Sequence, residues 1–182
     1  ELDMRVIDLN TSSLASLSPN YLERVRASAD KAGYVLTNLK LNQRGLDMNS
    51  ADKSVREKAI RIYKQSIDAA SKLGVKWPRP LPLPALPNRQ LHIAAYRELA
   101  DYGAKKNVRM LVENYGWMQS SPDSVARLIK DIGHNVAASP DTGNWNSNPI
   151  RYKGLTKTFP LAVTCDFKAK KLGPMASILL TI

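Results

Sequence analysis

The chain has 182 residues, of which 43% are hydrophobic and 7% aromatic. This length suffices for one domain with a sizeable core, and no apolar run approaches the roughly 18 residues of a membrane span. The formal net charge of +11 brings polyanions into consideration as partners, but the basic residues are scattered along predicted helix faces, as on a solvated surface. The single cysteine, Cys165, excludes an intrachain disulfide. Its place in an apolar run predicts a buried, unreactive thiol.

Apolar periodicity and turn residues predict strands that alternate with helices along the chain. Strand character is weak over residues 1–9, and further strands are predicted to start near residues 34, 75, 108, 135 and 160. The predicted helices run from Pro19 to a stop at Gly33, over about 51–73 between a Ser50 cap and Gly74, over about 89–104, and from the Ser121-Pro122 start to Gly133. Such alternation specifies a parallel sheet with right-handed crossovers, open or closed into a barrel.

Three of the apolar runs are each followed by a carboxylate. They are 108–112 with Glu113, 135–140 with Asp141, and 161–165 with Asp166. Parallel strands deliver the residues at their carboxyl ends to one rim, which is where such folds carry their chemistry. Since no glycine-rich nucleotide fingerprint follows a strand, the acidic strand ends favour a barrel over a Rossmann-type sheet.

Four motifs carry a resemblance to a known family. LVENYGW at 111–117, SPDTGNW at 139–145, VTCDFKAK at 163–170 and GVKWPRPLPLP at 74–84 resemble the xylose isomerase-like TIM-barrel superfamily. Its members include sugar-phosphate isomerases and epimerases, with endonuclease IV as a more distant branch. The resemblance covers the chain to about Pro174.

The resemblance implies an α/β fold of (β/α) TIM-barrel type. Because such barrels usually need about 250 residues, we expect an incomplete barrel with about six parallel strands and alternating helices, in one partial domain over 1–182. Residues 1–3 resemble the end of the family's second strand. The apolar tail at 175–182 does not match the family and is expected to form a strand or a plug.

The resemblance also implies a divalent metal, such as Mn²⁺, Mg²⁺, Co²⁺ or Zn²⁺, held by side chains from different strand ends. Moving a proton between adjacent sugar carbons passes through a negatively charged ene-diolate, which a cation stabilises. By motif match the ligands are Glu113, which is also the catalytic candidate, and Asp141. Asp166 is the third candidate, although many relatives carry histidine there. The family's fourth ligand, a glutamate, has no counterpart in the sequence. Turn capping by Glu113 and plain turn chemistry at Asp141 are the alternatives.

Further side chains near these ligands are candidates for binding a sugar: Asn144, Lys168, Arg79, Trp117 and Trp145. The two cations would meet an anionic or hydroxylated group, and the two indoles would form an apolar wall. Roles as surface cations and as packing residues are the alternatives. His92 and His134 are predicted to be surface or cap residues, not metal ligands.

The favoured hypothesis is a sugar or sugar phosphate isomerase/epimerase-like domain of carbohydrate metabolism. An endonuclease IV-like nucleic-acid-binding domain and an inactive truncated paralogue are the alternatives, and the proline-rich segment 79–84 also resembles a polyproline ligand. We do not expect nucleic acid as partner, because that endonuclease branch uses several histidines and this chain has only two. We expect no membrane association, a cytoplasmic location with a secreted or periplasmic one left open, and homo-oligomers if barrel edges are exposed.

Overall fold

The fold consists of parallel strands that alternate with helices, in a computed structural model that describes residues 4–81, 83 and 85–168. The strands are β1 (Val6–Asn10), β2 (Val35–Leu41), β3 (Trp77–Pro80), β4 (Met110–Val112) and β5 (Val136–Ala138). The α-helices are α1 (Pro19–Lys31), α2 (Lys53–Leu73), α3 (Arg89–Ala104), α4 (Ser124–Ile132) and α5 (Asn148–Thr158). This architecture confirms the predicted α/β class. Residues 1–3 and the predicted tail at 175–182 lie outside the described residues.

Among the described residues, the strands form a wall that does not close and in which spatial order follows sequence order. The first sheet has the order β1-β2-β3, and β4 pairs with β5, all in parallel. The backbone N–H of Arg109 donates to Lys76 O at 2.8 Å, which links the β3 side of the wall to the β4 side. Beyond β5, the pairing within the part of the chain that the structure describes consists of two isolated parallel bridges, Ala138 with Ala162 and Asp141 with Asp166. This geometry corresponds to an incomplete TIM barrel.

The last predicted strand differs most from the structure. Instead of a continuous strand from residue 160, the chain forms a 3-10 turn over Phe159–Leu161 and then the isolated bridges. Pro160 explains the difference, since proline has no N–H to donate to a ladder and fixes a turn-compatible φ. The segment still docks beside β5, because Val163 N donates to Ala138 O at 3.2 Å.

Helix ends follow local chemistry, with one correction to the predicted caps. Gly74 ends α2 in the left-handed conformation, with φ of 75°. The predicted Ser50 cap is wrong, because Asp52 caps α2 and accepts hydrogen bonds from Ser54 N at 2.8 Å and Val55 N at 3.4 Å. The Ser50 hydroxyl instead accepts from Asp52 N at 3.2 Å and supports the turn before the helix. No described helix has both the length and the apolar character needed to cross a membrane.

Cys165 is exposed, so the predicted burial of its thiol is wrong. The apolar run around it is not a full strand of the wall, and its side chains are therefore not packed alternately into the core. Partial desolvation, followed by the Asp166 and Asp141 carboxylates, raises the pKa of the thiol. The thiolate is disfavoured at neutral pH, which makes Cys165 a poor nucleophile.

His92 is not the predicted surface residue but a member of the core. Only 1% of it is exposed, its Nδ1 contacts Asn49 Oδ1, and its ring packs edge-on against Tyr96 and Trp117. Burial lowers the pKa of His92 from 6.5 to about 4. The sequence showed a polar residue on a helix, and only the packing of α3 against the loop after β4 reveals that it is enclosed.

We expect His92 to make the protein less stable in mild acid. Because its pKa is lowered in the folded state, its contribution is fully present above the ordinary pKa of 6.5 and is lost as the pH falls towards about 4. The loss amounts to roughly 2 kcal/mol between pH 7 and pH 5. Urea denaturation at both pH values should show a smaller acid loss for His92→Gln than for wild type. The exposed His134→Gln serves as control and should retain the wild-type loss, whereas an unchanged loss in His92→Gln would contradict the assignment.

Candidate metal centre

Three carboxylates from successive parts of the wall converge at one end of it. Glu113 directly follows β4, Asp141 follows β5, and Asp166 lies in the segment that bridges to Asp141. One oxygen from each lies within 4.8 Å of the others. Glu113 and Asp141 are only 3% and 5% exposed. The structure therefore brings together the three side chains that sequence reasoning named as metal ligands.

Asn114 ties the loop after β4 to the loop after β5. Its fully buried amide nitrogen donates to Asp141 O at 2.9 Å and to Asn144 O at 3.2 Å, while its Oδ1 accepts from Asp141 N at 2.8 Å. These bonds satisfy backbone groups that the turn would otherwise leave buried and unpaired. Asn114 thereby fixes the distance between the Glu113 and Asp141 carboxylates.

The Asp-Thr-Gly turn carries structural roles as well as a candidate ligand. Gly143 N donates to Asp141 Oδ1 at 2.7 Å and orients that carboxylate. A Cβ at Gly143 would lie 2.8 Å from Lys168 O, so only glycine permits this approach of the two backbones. Thr142 Oγ1 accepts from Lys168 N at 2.9 Å, and Thr142 N donates to Asp166 O at 3.0 Å. The same turn therefore forms its own stabilising hydrogen bonds and orients the candidate ligand Asp141.

Two cations from the β1-β2-β3 sheet lie beside these acids. Arg79, at the end of β3, contacts Glu113 Oε2 through Nη1, which also lies 3.7 Å from Asp166 Oδ2. Lys40, near the end of β2, places Nζ 2.8 Å from Asp166 Oδ1 and 3.9 Å from Asp8 Oδ2. Desolvation lowers the pKa of Arg79, although Asp166 and other neighbours oppose the shift. Arginine nonetheless stays protonated at neutral pH, so Arg79 is a buried cation of the site and not the surface cation that sequence reasoning allowed.

Asn144 links the acid cluster to a further cation. Its Nδ2 donates to Glu113 Oε1 at 3.1 Å, and its Oδ1 accepts from Lys168 Nζ at 2.9 Å. Asn144 is buried, whereas Lys168 is exposed. Glu113 is therefore held from two sides, by the Asn144 amide at Oε1 and by Arg79 at Oε2. Lys168 is left at the solvent side of the cluster.

The donor set fits a hard divalent cation. Carboxylate oxygens suit ions such as Mg²⁺ and Mn²⁺, and the three acids form a Glu/Asp/Asp group able to hold one. Two unit charges about 5 Å apart repel by roughly 3 kcal/mol at an effective dielectric constant of about 20. Full ionisation of the cluster therefore requires positive charge nearby, and Arg79 and Lys40 provide part of it.

The two candidate tryptophans and His134 lie in different settings. The indole of Trp145 covers Gly154 in α5 so closely that a Cβ there would clash with it, which anchors the loop carrying Asp141. Trp117 packs edge-on against His92, with ring centroids 5.9 Å apart, and lines an outer cavity of about 330 Å³. The exposed His134 pairs with Asp101. The role of the two indoles in substrate binding stays a prediction.

Sequence reasoning did not single out Lys40 or Asn114. A signal for Lys40 existed, because it stands next to the carboxyl end of a predicted strand and thus at the same rim as the acids. Asn114 directly follows the leading ligand candidate, but its partners lie in another loop. Its bridging role requires the fold to be known.

Parallel strands, alternating helices and an acidic cluster at the strand ends define a TIM-barrel-type α/β protein. The chain belongs to the xylose isomerase-like TIM barrel family, whose sequence model matches residues 1–172. Among curated protein sequences, none matches the chain significantly.

Solved structures of an epimerase, a xylose isomerase domain protein and a probable dehydratase share the fold. A D-psicose 3-epimerase crystallised in the presence of D-fructose has a TM-score of 0.78 and 16% identity, over 99% of this chain and 71% of that chain. A xylose isomerase domain protein from Planctomyces limnophilus has a TM-score of 0.72 and 18% identity, over 90% and 63%. The probable 3-DHS dehydratase AsbF from Bacillus anthracis has a TM-score of 0.74 and 16% identity, over 97% and 66%. The chain thus spans about two thirds of the length of these proteins, and at such identities the likeness establishes the fold.

We expect Asn114→Ala to destabilise the protein by roughly 2 to 4 kcal/mol, because several buried backbone groups would lose their partner. Urea denaturation measures the change, and Asn146→Ala, at an exposed position two residues beyond Asn144, is the matched control with an expected change below about 0.5 kcal/mol. Equal stability of the two variants would contradict the bridging role of Asn114.

Proposed function

We propose that the chain is a sugar or sugar phosphate isomerase/epimerase-type domain that moves a proton between adjacent carbons with the help of a divalent cation. The observation that carries the proposal is the convergence of Glu113, Asp141 and Asp166 within 4.8 Å at the ends of parallel segments, in a chain of the xylose isomerase-like family. Similarity to a D-psicose 3-epimerase fold supports a small hydroxylated carbonyl compound as substrate class.

Glu113, Asp141 and Asp166 are the proposed ligands, for Mn²⁺, Mg²⁺, Co²⁺ or Zn²⁺. When bound, such a cation supplies charge stabilisation for the negative oxygens that develop as a carbon-bound proton leaves. Oxygen-only ligation favours Mn²⁺ or Mg²⁺ among these ions. Asp141 is held by Gly143 N at 2.7 Å, so its orientation does not depend on the cation.

Glu113 is the proposed proton-transfer group of this chain, and Asn144 is its positioning partner through the 3.1 Å bond to Oε1. Lys168, at the solvent side of Asn144, is proposed to meet a hydroxyl or an anionic group of the sugar. Arg79 contacts Glu113 and is proposed to act on the substrate only through that carboxylate. The nucleic-acid alternative rests on the net charge of +11 and on the resemblance to the endonuclease IV branch of the family, and the partner we propose is a small molecule.

We expect calorimetric titration with MnCl₂ to give a saturable binding isotherm for the full chain. Glu113→Gln and Asp141→Asn should each weaken binding at least tenfold, because each removes one charged donor of nearly unchanged size. Glu57→Gln, an exposed change of the same kind on α2, is the control and should bind as wild type does. Equal isotherms for all four proteins would remove the metal assignment.

We expect a proton-transfer activity that can be followed in D₂O. With Mn²⁺ and a panel of ketoses, aldoses and their phosphates, NMR should show deuterium entering the carbon next to the carbonyl of one substrate, and Glu113→Gln should abolish it. Loss of water with new vinylic signals would instead favour a dehydratase, as one similar structure is named. No exchange with any compound in the presence of bound cation would contradict the proposed reaction.

A further inference from the structure

We propose that the Arg79 guanidinium is a built-in counter-ion that competes with the divalent cation for the rim carboxylates and thereby sets the affinity of the site. This inference rests on the proposed function, because it takes Glu113, Asp141 and Asp166 as the cation ligands. It assigns Arg79 a positioning and regulatory role that acts through Glu113.

Arg79 engages the side chains that a cation would need. Its Nη1 contacts Glu113 Oε2 and lies 3.7 Å from Asp166 Oδ2, so it touches or approaches two of the three carboxylates that converge. The Asn144 amide already donates to Glu113 Oε1. Both oxygens of Glu113 are therefore engaged, and a bound cation must share Glu113 with the guanidinium or displace it.

Burial makes this competition strong. The side chains of Arg79 and Glu113 are each 4% exposed, so water and salt screen their charges weakly. A dication held by the same carboxylates would lie close to the guanidinium and be repelled by it. Removal of the guanidinium ends this repulsion and also makes the electrostatic potential at the carboxylates more negative. Both effects favour binding of the cation.

Lys40 is a different kind of counter-ion. Its side chain is 24% exposed, and it divides its charge between Asp166 and Asp8. Arg79 is buried, and neither its Nε nor its Nη1 has a hydrogen-bond partner among the described residues, so its contacts with Glu113 and Asp166 are ion pairs. The carboxylates are therefore the groups that hold the guanidinium, and a cation that takes them over releases it.

The test is MnCl₂ titration of the full chain by calorimetry, with Arg79→Gln, Arg79→Lys and, as matched control, Arg61→Gln, an exposed change of equal charge on α2. We expect Arg79→Gln to bind at least tenfold tighter than wild type, Arg79→Lys to stay closer to wild type, and Arg61→Gln to equal it. Thermal denaturation provides a second readout. Without cation Arg79→Gln should melt below wild type, and saturating Mn²⁺ should raise its Tm by more than that of wild type.

The outcomes separate this inference from the proposed function. If wild type binds Mn²⁺ and Glu113→Gln does not, but Arg79→Gln binds no tighter than wild type, the competition is refuted and the metal site stands. If neither wild type nor any variant binds Mn²⁺, the proposed function fails and the inference with it. Binding by Arg79→Gln but not by wild type supports the competition. If Arg79→Gln does not fold, Arg79→Met is judged by the same criterion, and failure of both to fold even with Mn²⁺ would make Arg79 a purely structural ion-pair residue.

Discussion

Mutual repulsion among three carboxylates is the constraint on which the site depends. Glu113, Asp141 and Asp166 are held within 4.8 Å of one another, two of them almost completely buried. Such an arrangement carries its full negative charge only with positive charge beside it. Arg79 and Lys40, from the β1-β2-β3 sheet, provide it in the protein itself, and the proposed divalent ion would add to it or take over from it.

The acids stay close because the loops that carry them are tied to one another. Asn114 joins the loop after β4 to the loop after β5, and Gly143 lets the second loop approach the backbone at Lys168. Trp145 anchors the same loop on α5. Loops restrained in this way hold charged groups at fixed distances, as preorganised electrostatic stabilisation of a reacting group requires.

The sequence was enough to group the three acids at one rim but not to show that Arg79 and Lys40 lie beside them. Since parallel strands end at one rim, Glu113, Asp141 and Asp166 could be grouped from three apolar runs alone, and left-handed Gly74 marked a helix end for local reasons. Burial of Arg79 and His92 depends on which elements pack over them, and neither residue type indicates it. Cys165 was misjudged for a different reason. An apolar run does not by itself form a strand once Pro160 interrupts the ladder.

The most direct test of the central claim is an anomalous difference map from crystals of the full chain grown with MnCl₂, measured at the manganese edge. We expect one dominant peak within bonding distance of oxygens from Glu113, Asp141 and Asp166, with the Arg79 guanidinium moved away from Glu113. A map with no peak among these side chains at saturating Mn²⁺, or with its only strong peaks elsewhere, would contradict the claim that the rim carboxylates form a cation site.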